Sequence, residues 1–369
     1  MQLQQKYGFL FNVLCWLGFV DYQQSTILNF IKTSLSRVVL IITYVDTITM
    51  LLLLMIDSRF ASRLLVENII SVTSSVILMY LMTQQKRRLT HLLKILQSIC
   101  PPEWRTKINF AIKFICCLPF TYAFTLLLAN INSSDDFMFK FFCYGIGMEN
   151  KTLKYVLVYY KYFVYYVLHP SMTNVVVLTY CICCLICSVS LQKLSWDIQK
   201  CPPMEFSTKV QIGFLKNRYH IITVLEEIQA VFSKTSLVIC IGNFMSCFSN
   251  LGEVLFYSPK TAFLTALEVL FISTSTLVSL LSIFYCAGRI PLEMNAFSKR
   301  IQMQFEKRAL SGVIEENPTV ERLLLQEKTF VFSACEMIHF TRSGILTILG
   351  TILTYGLLVL SVDLKNVKN

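Results

Sequence analysis

The chain reads as an all-α membrane protein: seven transmembrane helices, N-terminus cytoplasmic, C-terminus extracellular, with a helical anchor region on the cytoplasmic side. Three observations predict this. Seven apolar stretches are long enough for a bilayer core, which takes about 20 residues at about 1.5 Å of rise each. Lys and Arg collect in alternate loops, and the longer polar segments keep a helical period. Hydrophobic residues make up 55% of the 369 residues and mean hydropathy is +0.59, which excludes an ordinary soluble domain.

The stretches are residues 38–56, 66–83, 108–129, 153–191, 235–257, 262–287 and 343–362. Of 33 Lys and Arg residues, 23 fall in the N-terminal segment and the second-to-third, fourth-to-fifth and sixth-to-seventh loops. Seven fall on the other side, and Lys113, Lys154 and Lys161 lie within spans. Positive charge is retained in the cytoplasm, so the N-terminus is inside. Without the long, acid-rich sixth-to-seventh loop the count is still 15 against 7. The two valid Asn-x-Ser/Thr sequons, at Asn132 and Asn150, both fall in the third-to-fourth loop, on the outer side where glycans are added. This orientation is the reverse of a G-protein-coupled receptor. The net charge of +11 follows from the same bias and calls for no nucleic-acid partner. Lys86-Arg87-Arg88 sits where anionic headgroups of the bilayer attract it.

The elements follow in order. Residues 7–20 are apolar but lack a basic leader and a cleavage site, so they read as an amphipathic helix on the inner leaflet, not a signal peptide. Asp46 sits mid-membrane in the first span and needs a partner. The third span carries Thr121 and Tyr122. The fourth stretch has 39 residues, about 58 Å of helix; it projects beyond the bilayer, kinks at Pro170, or both. In its outer half Tyr155, Tyr159, Tyr162 and Tyr166 share one helical face. Two readings stay open there: an interfacial aromatic belt, or a water-accessible cavity lined by phenols. Asn250 and Glu253 in the fifth span and Glu268 in the sixth either face the bundle interior or sit near headgroups.

Two cytoplasmic segments, about 192–234 and 288–342, extend spans as a helical bundle. Ile212, Leu215, Tyr219, Ile222, Leu225 and Ile228 mark one apolar face; Met294, Phe297, Ile301 and Phe305 mark another. Asn317-Pro318 reads as an N-cap with proline at the first helical position. That helix is expected to run through Leu324, Phe330 and Phe332 toward the membrane. Glu336, His339 and Arg342 keep its end out of lipid, and Gly344 marks the break before the last span. There Thr347, Thr351, Thr354, Leu358 and Ser361 form one stripe. It is either a helix-packing face or the lining of a pore built from several copies in a ring.

Of fourteen cysteines, only Cys143 lies in a predicted external loop, so a disulfide scaffold is excluded. Cys181, Cys183, Cys184 and Cys187 come without His or acid and read as small apolar packing, not a metal site. Cys187 and Cys201 are palmitoylation candidates. No motif for nucleotide binding, metal hydrolysis or nucleophilic catalysis occurs, so the chain is not read as an enzyme and no cofactor is expected.

The last span resembles that of the insect gustatory receptor family, whose signature is Thr-Tyr, five apolar residues, then Gln-Phe. Here Thr354-Tyr355 is followed by Gly356-Leu357-Leu358-Val359-Leu360 and then Ser361-Val362. The upstream run from Phe332 to Phe340, with Arg342, Gly350 and Thr351, is similar as well. Specific resemblance covers about 35 residues. It implies a homo- or heterotetrameric, ligand-gated, non-selective cation channel in the plasma membrane of chemosensory dendrites, passing monovalent and divalent cations. A small-molecule tastant, with a lean toward bitter compounds, would bind in an outward-facing pocket of each subunit. The candidate ligand residues are Tyr122, Tyr155, Tyr159, Tyr162, Tyr166, Asn250, Glu253 and Glu268. The candidate pore and gate residues are Thr347, Thr351, Thr354, Tyr355, Leu358, Ser361 and Val362, the last two in the family's Gln-Phe positions. An odorant receptor of the related family and a secondary transporter are the alternatives.

Overall fold

The computed structural model describes residues 2–21, 27–56, 62–99, 103–132, 144, 149–256, 262–312, 317–326 and 329–366. The first half contains α1 (Gln2–Trp16), α2 (Ile27–Ile56), α3 (Ser62–Gln84), α4 (Lys86–Ile99) and α5 (Trp104–Asn132). Next come α6 (Lys151–Tyr166), a π-type turn (Val167–Ser171), α7 (Met172–Lys200) and a 3-10 turn (Pro203–Glu205). The second half contains α8 (Thr208–Phe256), α9 (Ala262–Ala287), α10 (Arg289–Leu310) and α11 (Pro318–Leu325). A hairpin of β1 (Ser333–Ala334) and β2 (Ile338–His339) precedes α12 (Arg342–Asn366). Among the described residues, Thr106–Ile131, Lys151–Lys200, Thr208–Leu251 and Ala266–Leu310 are long and apolar enough to cross a membrane. Ile69–Gln84 and Arg342–Leu358 are shorter apolar helices. The architecture is that of a helical membrane protein.

The fourth apolar stretch is one column broken where predicted. Pro170 has no N–H to donate and crowds the residue before it, which is driven to extended backbone. His169 accordingly has φ −147° and ψ 123° inside the column.

The column's spine-like neighbour is α8, 49 residues long, or about 73 Å. It packs against α3, α4, α7, α9, α11, α12 and β1. Leu225 and Ile228 of its predicted stripe are buried, but Ile212 and Tyr219 are exposed. Arg218 is buried instead. Its guanidinium donates to the Leu324 carbonyl at 3.0 Å and the Gln326 carbonyl at 2.7 Å, closing the C-terminus of α11. Arg218 also lies over the Phe297 ring. Burial lowers its pKa from the ordinary arginine value.

Asn317 caps α11 as predicted, accepting from the Thr319 and Val320 amides at 3.2 and 3.4 Å. Removing the cap should cost on the order of 1 kcal/mol. Asn317→Ala is therefore expected to speed amide exchange over 318–325 by about fivefold; unchanged exchange would show that tertiary contacts alone hold this helix.

The expected continuation of that helix through Phe330 and Phe332 is not seen. The helix stops at Leu325, and the chain makes the hairpin, pairing Ser333 with His339 and Ala334 with Ile338. Cys335 and Glu336, at the tip, both take positive φ. The reason lies on α8. Gln229 donates to the Ser333 carbonyl at 2.7 Å and accepts from its amide at 3.1 Å, while the Ser233 hydroxyl accepts from the Cys335 amide at 2.9 Å. These side chains satisfy backbone groups that a helix would have paired internally. Phe332 and Phe340 then pack around Tyr180 of α7. His339 is exposed.

Two further expectations change. The N-terminal apolar segment is helical, but it does not simply lie on a leaflet: Leu10, Phe11, Leu14 and Cys15 are buried, and α1 packs on α5 and α4. The last helix begins at Arg342, two residues before Gly344, which sits in its first turn with its amide bonded to Thr341 Oγ1. The α9–α10 junction lies beside that start. A methyl group on Gly288 would stand 2.8 Å from the Arg342 amide nitrogen and 3.1 Å from the Thr341 carbonyl carbon. Only glycine lets the two backbones come this close.

Candidate ligand site and pore-lining face

Tyr155, Tyr159, Tyr162 and Tyr166 do share a face, and that face turns inward. With Tyr122, Ala123 and Leu126 of α5, Val158 of α6 and Met50 of α2, they form a small apolar cluster separate from the main core. Tyr122, Tyr162 and Tyr166 are fully buried, while Tyr155 and Tyr159 are half-buried. This excludes a plain aromatic belt, whose rings would point to lipid. The Tyr122 ring lies 4.4 Å from Tyr166, 6.0 Å from Tyr162 and 5.7 Å from Phe271 of α9, the last two edge-on. The Tyr122 hydroxyl donates to Glu268 Oε1 at 3.2 Å. Glu268 therefore points at the bundle rather than at headgroups. The Tyr162 hydroxyl accepts from Asn130 Nδ2 at 2.5 Å.

Asn250 is buried on α8, but its hydrogen bond goes to Ser246 one turn back, at 3.4 Å, and not to a tyrosine. The side chain of Glu253 lies outside the described residues. Several neighbours of the cluster were not foreseen. Phe271 and Asn130 belong to it directly. Below it, Asn174 donates to Ser275 at 2.6 Å, and His169 Nδ1 meets the Ser75 hydroxyl at 3.3 Å. These polar side chains occupy the break in the fourth column, where buried polar groups require partners.

Asp46 finds the partner it needs. It pairs with Lys161, which is buried on α6, and accepts from the Tyr144 hydroxyl. Lys161 also donates to that hydroxyl at 2.7 Å and lies over the Tyr144 ring. This ion pair and the tyrosine cluster occupy neighbouring faces of one helix.

On α12, Ile348 and Gly356 face the protein, and Gly356 gives room to Leu251 of α8. Thr347, Thr351, Thr354 and Leu358 are exposed along the opposite side. Thr351 and Thr354 donate their hydroxyl protons to carbonyls one turn back, each at 2.8 Å. Their oxygen lone pairs are what they present outward. Tyr355 leaves the stripe, lying 4.6 Å ring-to-ring from Phe248 of α8. The side chains of Ser361 and Val362 lie outside the described residues, as does Cys143.

Cys181, Cys183, Cys184 and Cys187 are all buried in the main core, as packing requires. Burial removes Cys187 as an acylation candidate. Cys201 keeps partial exposure, with its thiol pKa raised first by burial and then by Glu205. Asn150 is exposed and caps α6 through Oδ1, leaving Nδ2 as the atom a glycan would use. Asn132 ends α5, with its side chain outside the described residues.

No family model and no curated protein sequence matches the chain. Among solved structures, the insect olfactory receptor OR5 from Machilis hrabei in complex with eugenol matches with a TM-score of 0.68 at 12% identity, covering 97% of each chain. A second OR5 structure gives 0.62 at 13% identity, covering 96% of this chain and 97% of that one. At such low identity the shared property is the three-dimensional arrangement, and the chain has the fold of an insect olfactory receptor.

Proposed function

We propose that the chain is a subunit of a ligand-gated cation channel of the insect chemoreceptor type, a gustatory receptor in the plasma membrane of chemosensory dendrites. In this reading seven spans place the N-terminus in the cytoplasm, and the glycan acceptors Asn132 and Asn150 lie outside. A small-molecule tastant, by preference a bitter compound, binds at the tyrosine cluster. Four subunits, identical or mixed, surround a pore lined by α12, with Ser361 and Val362 at its gate. The Thr354-Tyr355 pair favours a gustatory receptor over the odorant class that OR5 exemplifies.

The observation that carries the reading is the exposed hydroxyl stripe of α12. Its threonines face away from the subunit, and their free lone pairs suit a path for cations. One such helix cannot enclose a pore, so the stripe calls for a ring of copies. The ligand acts by preferring the open arrangement of α12 over the closed one.

Thiol accessibility tests this. In cells expressing the full chain, a charged thiol reagent should block the cation current of Thr351→Cys and Thr354→Cys. It should spare Leu346→Cys and Leu353→Cys, which sit on a different exposed face. Equal insensitivity at all four positions would remove α12 from the pore.

A further inference from the structure

Resting on the reading of the tyrosine cluster as the ligand site, we infer that its ligand is an organic ammonium ion: a small amine with a positive charge and a compact apolar body. Three observations lead there. The first is an uncompensated acid. The membrane-embedded Asp46 is matched by Lys161. Glu268, among the described residues, has no Lys, Arg or His partner; its hydrogen bond comes from the neutral hydroxyl of Tyr122. An acid inside a membrane bundle without a counter-charge either takes up a proton or is matched by a cation, and a cationic ligand would supply that match.

The second observation is what surrounds that acid. Phe271 lies one turn along α9, on the same face as Glu268, with its ring 5.7 Å from Tyr122. Tyr162 and Tyr166 close the other sides of Tyr122. Aromatic rings beside a carboxylate form the arrangement that recognises ammonium groups, because ring faces carry negative charge density. The carboxylate supplies the net charge and the rings replace lost hydration.

The third observation concerns access and competing charge. Tyr122, Tyr162 and Tyr166 are sealed, whereas Glu268, Tyr155 and Tyr159 keep partial exposure. The acid is therefore not sealed into the cluster. The nearest buried cation on the fourth column, Lys161, turns to Asp46 on the adjacent face, so it does not occupy Glu268. A neutral phenol or alcohol would find hydroxyl partners here but would leave the carboxylate uncompensated.

The test uses a charged ligand and its neutral isostere, benzyltrimethylammonium and neopentylbenzene, on purified full-length protein in detergent. Binding is read as the concentration dependence of the thermal unfolding midpoint. Wild type should bind the ammonium at least tenfold more tightly than the isostere. Glu268→Gln should lose that preference while keeping the isostere's affinity, and Glu268→Asp should keep part of it. Tyr162→Ala should weaken both compounds. Equal affinity for the pair in wild type, or a preference undiminished in Glu268→Gln, overturns the ammonium inference and leaves the site reading standing. Binding of both compounds that is indifferent to Tyr162→Ala overturns the site reading itself. Should Glu268→Gln fail to fold, the comparison of the isosteres on wild type still decides.

Discussion

Asp46→Asn is expected to lower the stability of the folded chain by about 3–5 kcal/mol, the cost of leaving one member of a buried ion pair uncompensated. Lys161 is the member left behind. Its side chain is 6% exposed, against 23% for Asp46, so removing the acid costs more than removing the lysine. The Tyr144 hydroxyl accepts one hydrogen bond from Lys161 but brings no negative charge. The loss should appear as a large drop in the thermal unfolding midpoint in detergent and as poor recovery of folded protein. Removing both charges, in Asp46→Leu with Lys161→Met, should recover most of the stability, since apolar replacement of a whole buried pair is often neutral or better. A single Asp46→Asn variant that melts with wild type would mean that water reaches the pair.

Arg308→Met is expected to have a loss of similar size, again about 3–5 kcal/mol, at the other end of the molecule. Arg308 on α10 donates to Glu321 on α11 at 2.8 Å, and the two side chains are 4% and 8% exposed. Without the arginine the Glu321 carboxylate stays buried with its main partner gone. α11 should then loosen from α10 and be left to the Asn317 cap, buried Leu324 and Arg218, so amide exchange over 318–325 should rise far more than in Asn317→Ala. Adding Glu321→Leu to the same chain should restore much of the protection. If exchange in Arg308→Met does not exceed that of Asn317→Ala, the pair contributes little to holding the anchor region.

Much of this was legible in the sequence, and the failures share a cause. Helical spacing put four tyrosines on one face and a row of threonines on another, because a period within one helix needs no knowledge of its neighbours. It could not say which way a face turns. The tyrosine face turned inward because Tyr122 and Phe271 meet it from other helices. Asn250 was grouped with the site by depth alone, yet rotation about α8 directs it to its own helix. Asp46 announced its need for a partner, but Lys161 lies 115 positions away and only the three-dimensional fold brings the two together. The hairpin was invisible for a related reason. Its tip, Cys335-Glu336, lacks the Gly or Asn that usually marks positive φ, and its backbone partners are side chains of α8. The N-terminal helix showed a buried face, while what buries it proved to be protein.

The contact at Gly288 bears on how the last helix would move in the proposed channel. Most helix joints are cushioned by side chains that can change rotamer and absorb a displacement. Here the backbone at the head of α12 lies directly against the backbone joining α9 and α10, and packed interiors compress very little. Such a contact would make the head of α12 a pivot held by the α9–α10 junction. In the proposed channel a push delivered through α9, the helix that carries Glu268 and Phe271, would be passed to α12 at that point. The far end of α12, some twenty residues further on, would then sweep the larger arc. On the proposed function, a small change at the aromatic cluster would thereby become a wider movement at Ser361 and Val362.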